Sequence, residues 1–344
     1  MVKTRLLYGG RRIRQDSNCN RYFSTGIYAS KAFLNKFNYS ITAMNCIDVD
    51  RVFKRYADID AVDGISFFVA EGELFALLGP NGAGKTTTIR MLLDIIKPEK
   101  GEIMFFGKQF GESTKAQIGY LPEERGLYDN LTVMQNIFYL ASLKGAPHDM
   151  VKKNALDLLK QVDLLSCIDK KVNTLSKGMR QLVQLIATLV HEPKLLILDE
   201  PFSGLDPANR EVVKRIILLQ KEQHRTIILS THMMNEVEEL CDRILMINRG
   251  RRVLYGTLED IKERYAKNCV FIEFEGTLPK LEGVEKADIK KNTAELYLRV
   301  DVSPQQILKQ LVEKNVDVRK FDVREMSLNE IFVKLVEAER WIRV

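Results

Sequence analysis

Gly79-Pro80-Asn81-Gly82-Ala83-Gly84-Lys85-Thr86-Thr87 follows the template G-x-x-x-x-G-K-[ST], with Thr86 in its last place. Immediately before it, Glu73-Leu74-Phe75-Ala76-Leu77-Leu78 is the short apolar run that a buried parallel strand needs. After it, Thr87 to Leu93 reads as a helix, with neither Gly nor Pro until Pro98. Strand, glycine loop and helix in that order are the setting in which the pattern becomes a site. Glycines 79, 82 and 84 remove side chains and allow backbone angles that turn successive N–H groups inward. Those donors, with the positive end of the helix, make a cradle for phosphates. Lys85 would reach the β- and γ-phosphates, and the Thr86 hydroxyl would ligate Mg²⁺. The stretch predicts a nucleoside-triphosphate site.

Working outward, 344 residues leave room for two domains and a tail. An apolar content of 45% and a charged content of 28% are those of an ordinary globular chain. No stretch approaches the roughly 18–20 uninterrupted apolar residues of a membrane-spanning helix. Five cysteines, at 19, 46, 167, 241 and 269, stand singly without C-x-x-C spacing, which suits a reducing compartment and packing roles. The net charge of +6 is uneven. Residues 1–43 hold eight Lys or Arg against Asp16 alone, a net of +7, so the remainder sits near −1. A nucleic-acid-binding surface is therefore not supported. This basic, Ser-containing leader has the composition of an organellar transit peptide. The strand pattern that begins directly after Met44 favours the other reading, a non-native or disordered leader ahead of a natural start at that residue.

Cys46 to Tyr56 reads as one strand and Ala61 to Val69 as another, broken at Asp63-Gly64. Tyr56 ends a strand 23 residues before the phosphate loop, where its ring could stack on adenine. Gly101 to Gly107 reads as a hairpin strand. Ile118 to Leu121 runs into a loop, Pro122 to Tyr128, that carries Glu123, Glu124 and Arg125. The stretch from Thr132 to about Leu175 is helical, with Val133, Ile137, Leu140 and Ala141 on one apolar face. In Leu175-Ser176-Lys177-Gly178-Met179, Ser176 suits an N-cap, and Gly178 leaves helix amides open to an anion. Leu195-Leu196-Ile197-Leu198-Asp199-Glu200 is a buried strand ending in two acids, a costly place for carboxylates unless a metal or proton chemistry uses them. Asp199 suits the Mg²⁺ shell, and Glu200 suits a general base that polarises water. A second buried strand, Thr226 to Thr231, ends in His232. His148, His191 and His224 lack a chemical context and are expected at the surface.

Taken together, these segments resemble the nucleotide-binding subunit of ATP-binding-cassette (ABC) transporters, from about Met44 to about Tyr265. Gly79 to Thr87 matches the family's phosphate loop. Leu175 to Met179 matches the signature L-S-G-G-Q, with departures at Lys177 and Met179. Leu195 to Glu200 matches the magnesium strand and catalytic glutamate, Ser203-Gly204-Leu205-Asp206 the loop that communicates across a dimer, and His232 the switch histidine. Where the family usually has Gln after Leu121-Pro122, this chain has Glu123, which could bind Mg²⁺ as a harder ligand or face the membrane partner. Leu121 to Tyr128 resembles the branch of sodium-extrusion and drug-export ATPase subunits.

The resemblance implies an α/β fold: a P-loop NTPase of ABC type, with a RecA-like core, an antiparallel β subdomain and a helical subdomain. It implies a domain over 44–268, and the strands and helices after it predict a C-terminal α+β accessory domain over 269–344. In that last part, Val270 to Phe274, Ala294 to Val300 and Val316 to Val323 read as strands. Ser303 and Ser327 read as helix N-caps. The mechanism implied is a dimer, expected to be a homodimer, with two ATP at its seam. Lys85, Thr86 and Asp199 of one protomer would hold phosphate and Mg²⁺, and Ser176 and Gly178 of the other would donate to the γ-phosphate. Glu200 would orient the attacking water, while His232 and the phosphate loop would stabilise the charge that builds on the γ-phosphoryl. The expected role is export powered through a separately encoded membrane permease, from the inner face of the cell membrane. The competing reading is a soluble regulatory nucleotide sensor.

Overall fold

The computed structural model describes residues 45–124, 126–265, 269–299, 301–324 and 326–342; the expectations for residues 1–43 and for Met44 lie outside them. In chain order, β1 (Asn45–Tyr56) and β2 (Ile59–Ala70) pair antiparallel. The break expected at Asp63-Gly64 is a bulge inside one continuous strand. The register against β1 shifts between Val52 and Phe53, and Gly64 absorbs the shift with φ +68°. β3 (Leu74–Leu78) leads through the glycine loop into α1 (Lys85–Leu92). β4 (Lys100–Phe105) pairs with β1, completing a three-stranded sheet in the order β2-β1-β4.

After a short helix, α2 (Glu112–Ala116), and β5 (Ile118–Leu121), the expected helical stretch forms α3 (Val133–Ser142) and α4 (His148–Gln161). A capping box starts α3, with Thr132 accepting from Gln135 N and Gln135 reaching back to Thr132 N. Then come α5 (Lys177–Leu189), β6 (Leu195–Asp199), α6 (Pro207–Glu222), β7 (Thr226–Thr231), α7 (Met234–Leu240), β8 (Arg243–Asn248) and β9 (Arg251–Thr257). The central sheet runs β5-β6-β7-β3-β8-β9, parallel except for the β8–β9 hairpin.

β3, β6 and β7 are buried at every position, as strands covered on both faces must be. Their alternation feeds two cores. Leu74, Ala76 and Leu78 face the helical layer, while Phe75 and Leu77 face the antiparallel sheet, where Phe75 stacks on Phe67 at 5.4 Å. Each such fully buried side chain contributes roughly 1.5–3 kcal/mol. The effect is to fix the carboxyl ends of β3, β6 and β7 side by side, which is where ligands bind in open α/β sheets.

Beyond α8 (Leu258–Tyr265), β10 (Cys269–Glu275), β11 (Val284–Lys290), β12 (Thr293–Leu298) and β13 (Asp317–Arg324) form an antiparallel sheet ordered β11-β12-β10-β13. α9 (Pro304–Glu313), capped by Ser303, covers it through Ile307 and Leu311 over a separate core. The last helix, α10 (Leu328–Ile342), turns away from this sheet. Leu328 and Ile331 are buried in the main core, and Leu328 N–H donates to Glu238 of α7 at 2.5 Å.

Candidate nucleotide site

At the carboxyl end of β3 the chain turns through the glycine loop into α1 with no acidic residue in the first turn and no side-chain cap. The first amides of α1 are thus left to an anion. Gly84 sits at φ +110°, and a Cβ there would lie 2.3 Å from Ala61 O, so only glycine passes. The loop lines a cleft of about 420 Å³ together with Lys85, Thr86 and Thr87 on one side and Glu123 and Glu200 on the other. Pro80, Asn81, Gly82 and Ala83 are all part of its wall; Gly79 lies beneath. Lys85 Nζ is buried and donates to Gly79 O at 2.8 Å and Pro80 O at 3.4 Å.

Two neighbouring strand ends supply the acids. Asp199, the last residue of β6, is 1% exposed and neither carboxylate oxygen has a hydrogen-bond partner. Burial raises its pKa most, the nearby Ser230 hydroxyl pulls it back, Glu123 and Glu200 raise it further, and Lys85 lowers it a little. A buried carboxylate with two orphaned oxygens, near a second carboxylate and at the end of the strand next to a cleft that Thr86 lines, is a donor set that fits Mg²⁺. Thr86, Asp199 and Glu123 are the residues that could hold it.

Glu200 follows in the left-handed region at φ +49°, a conformation that costs a non-glycine residue on the order of 1 kcal/mol. Its backbone N–H donates to Ser230 O of β7 at 2.9 Å, and its carboxylate lies 3.4 Å from Lys85 Nζ. His232 Nδ1 is 3.0 Å from both carboxylate oxygens. A carboxylate only accepts, so Nδ1 carries the proton and Nε2 faces out of the contact. Thr231 Oγ1 donates to the same carboxylate at 3.4 Å. The arrangement can hold a triphosphate, a divalent cation and a water beside a base.

Ser176, Gly178 and Asp206 lie outside this cleft and group together elsewhere. Ser176 caps α5 and accepts from Met179 N at 3.2 Å. Asp206 caps α6, accepting from Asn209 N at 3.0 Å and Asn209 Nδ2 at 2.6 Å, and these bonds hold its carboxyl below the usual range. Asn209 in turn lies against Gly178, and Lys177 lies across Gly204. The cleft and the start of α5 are thus separate places on this chain. Tyr56 is also outside the cleft lining, 45% exposed with Lys54 Nζ 5.7 Å from its ring centroid.

Several residues escaped the sequence reading. Ile59, Asp60 and Ala61 line the cleft from the start of β2, and Arg249 from the β8–β9 turn. None belongs to a local motif; long-range pairing brings them in. His191 is not at the surface. It is half-buried, with Nε2 3.3 Å from Ile118 O, and burial lowers its pKa to about 4. A second cleft of about 370 Å³ lies away from this chemistry, bordered by Leu93, Ile95, Phe110, Tyr120, Leu143 and Lys144.

The family model of the ABC transporter matches residues 62–203, and that of the ATP-binding protein DrrA1-3-like, C-terminal domain, matches residues 256–336. An uncharacterized ABC transporter ATP-binding protein of Bacillus subtilis (strain 168), YhaQ, is 39% identical, over 85% of this chain and 99% of that protein. The bacitracin transport ATP-binding protein BcrA of Bacillus licheniformis is 36% identical, over 82% and 94%. A solved ATP-binding subunit of an ABC transporter superposes with a TM-score of 0.60 at 31% identity, covering 64% of this chain and 93% of that one.

Proposed function

Because this chain belongs to the ABC transporter ATP-binding family, whose members are ATPases, we propose that it hydrolyses Mg·ATP as one half of a dimer and powers export through a membrane partner. The observation that carries the reading is the convergence of Lys85, Glu200 and Glu123 on one cleft of about 420 Å³, with Asp199 ending the strand that leads into Glu200 and His232 on the Glu200 carboxylate.

The loop amides and the start of α1 bind the phosphates. Lys85, released from the Gly79 and Pro80 carbonyls, moves its charge from Glu200 to the phosphate chain. Glu200 then stands as the base that orients water for in-line attack, and the His232 Nδ1–H holds its carboxylate in place. Mg²⁺, when bound by Thr86 and Asp199 with Glu123 beside them, supplies neutralisation of phosphate charge.

The separation of the cleft from the start of α5 supports a dimer. Ser176 sits exposed and Gly178 half-buried at the start of α5, positioned on this reading to complete the cleft of a second copy. The apolar cleft supports a membrane partner. Ile95 is 60% and Leu143 65% exposed at its rim, a pairing of large apolar side chains suited to a short helix from a membrane subunit. Among the described residues, no helix is long and apolar enough to cross a membrane. The name of a relative 34% identical to this chain, Nod factor export ATP-binding protein I of Paraburkholderia xenovorans (strain LB400), supports export as the direction of work; on this reading the chain works at the cytoplasmic face of the membrane.

Co-expression with any membrane permease that a neighbouring gene encodes tests the reading. The two are expected to co-purify, and Ile95→Glu with Leu143→Glu is expected to release the chain while ATP binding persists. A wild-type chain that hydrolyses ATP yet associates with no membrane protein would overturn the transport assignment.

A further inference from the structure

We propose that Arg249 is a further nucleotide contact, gripping the α-phosphate end of bound ATP or ADP from the rim of the cleft; this rests on the nucleotide site proposed above. Arg249 belongs to the run Arg249-Gly250-Arg251-Arg252, at and after the β8–β9 turn. Two of its three arginines are committed. Arg251 Nε donates to Asp63 Oδ2 at 2.7 Å, and Arg252 donates to Ser66 O at 3.0 Å with its guanidinium 5.8 Å from the Tyr255 ring centroid. Arg249 alone lines the nucleotide cleft, and among the described residues its side chain has no ion pair or hydrogen bond.

The turn is tied on both sides. Gly250 N–H donates to Ala83 O of the phosphate loop at 2.8 Å, and Gly250 O accepts from Asp63 N of β2 at 2.8 Å. A Cβ at Gly250 would lie 2.5 Å from Asp60 O, so the turn is pressed onto the start of β2. Arg249 itself is held at φ +49°. The backbone is thus fixed between the phosphate loop and the antiparallel sheet, and the guanidinium is presented at their junction.

Position along the ligand follows from the charges around the cleft. Lys85, Glu200 and Glu123 surround the place of the terminal phosphates and the divalent cation. Arg249 enters instead with Ile59, Asp60 and Ala61, against the side of the loop that Gly84 and Ala83 form. A nucleotide with its γ-phosphate at Lys85 turns its α-phosphate and ribose toward that rim. A guanidinium offers a planar, permanently charged fork that fits a phosphate oxygen pair. Because the α-phosphate is common to both nucleotides, the contact is blind to the γ-phosphate.

The test is calorimetric titration of the full chain with ATP and, separately, ADP, each with Mg²⁺, using Arg249→Asn, Arg249→Lys and Arg252→Ala. Asn tolerates the left-handed backbone, so it removes the charge without adding strain. Arg249→Asn is expected to weaken ATP and ADP by the same factor, about 5–10-fold for one partly exposed charged contact. Arg249→Lys should recover part of this loss, and Arg252→Ala should bind both as the wild type does. Unchanged affinity in Arg249→Asn overturns the assignment, and so does a loss confined to ATP, which would move the contact to the γ-phosphate. A wild-type chain that binds neither nucleotide would instead sink the nucleotide site itself.

Discussion

Replacing Asp199 with Asn should make the nucleotide-free protein more stable and its Mg²⁺-bound form less so. The side chain is 1% exposed, neither oxygen is hydrogen-bonded, and Glu200 and Glu123 add negative potential to it. A buried, unsatisfied charged group costs at least about 1–3 kcal/mol. Asn removes the charge but leaves an unpartnered amide, so the net gain is about 1–2 kcal/mol. For roughly 300 ordered residues the unfolding entropy is about 0.6 kcal/mol/K, which converts that gain to a rise of about 2–3 °C in melting temperature at neutral pH. The pH dependence has a definite sign. A carboxyl whose folded pKa is raised contributes most favourably below its ordinary value, and that contribution is lost as pH rises through the raised pKa. The advantage of Asn should therefore shrink on acidification. Adding Mg·ADP should raise the wild-type melting temperature well above that with ADP and chelator, whereas Asp199→Asn should show little Mg²⁺-dependent increment. A variant that melts below wild type without ligand, or that keeps the full increment, would refute the reasoning.

Two further outcomes follow from neighbouring groups. Glu123 lines the cleft and raises the Asp199 pKa, so Glu123→Ala should shift the Mg²⁺ dependence of hydrolysis to higher concentration while Glu123→Gln changes it little; an unchanged midpoint in Glu123→Ala would remove Glu123 from the cation shell. His191 has its pKa lowered from 6.5 to about 4 by burial, with Lys144 and Arg225 adding to the effect. The unfolded chain therefore gains a proton first as pH falls from about 6.5 to 4, and stability declines over that window by about 2 kcal/mol after allowance for solvent. Urea melts should show His191→Gln with a flatter profile there; an identical slope would count against a buried neutral imidazole.

Legibility in the sequence tracked locality. Glycine loop, apolar runs and strand-end acids are each read within a few residues, and the parallel sheet then places them together. β11 was invisible because it is an edge strand whose residues are mostly exposed, so no apolar alternation marks it. The helix α8 and the β8–β9 hairpin carry no motif, and the sequence reading places neither. Arg249, Ile59 and Ala61 reach the cleft through contacts between two different sheets whose segments lie about 190 residues apart, as in the ion pair from Arg251 to Asp63. His191 was misplaced because a single histidine after a helix carries no burial signal; the carbonyl of Ile118 that receives it lies 73 residues away. Tyr56 shows the reverse case, a motif-like position that the cleft lining does not include.

The central claim is that this chain hydrolyses ATP with Glu200 beside the phosphates. Phosphate release from Mg·ATP by purified wild type and Glu200→Gln, with nucleotide binding measured in parallel, tests it most directly. The account predicts that Glu200→Gln binds ATP as wild type does and releases phosphate on the order of 10²–10⁴-fold more slowly. Turnover within a factor of two of wild type, with binding intact, would contradict it.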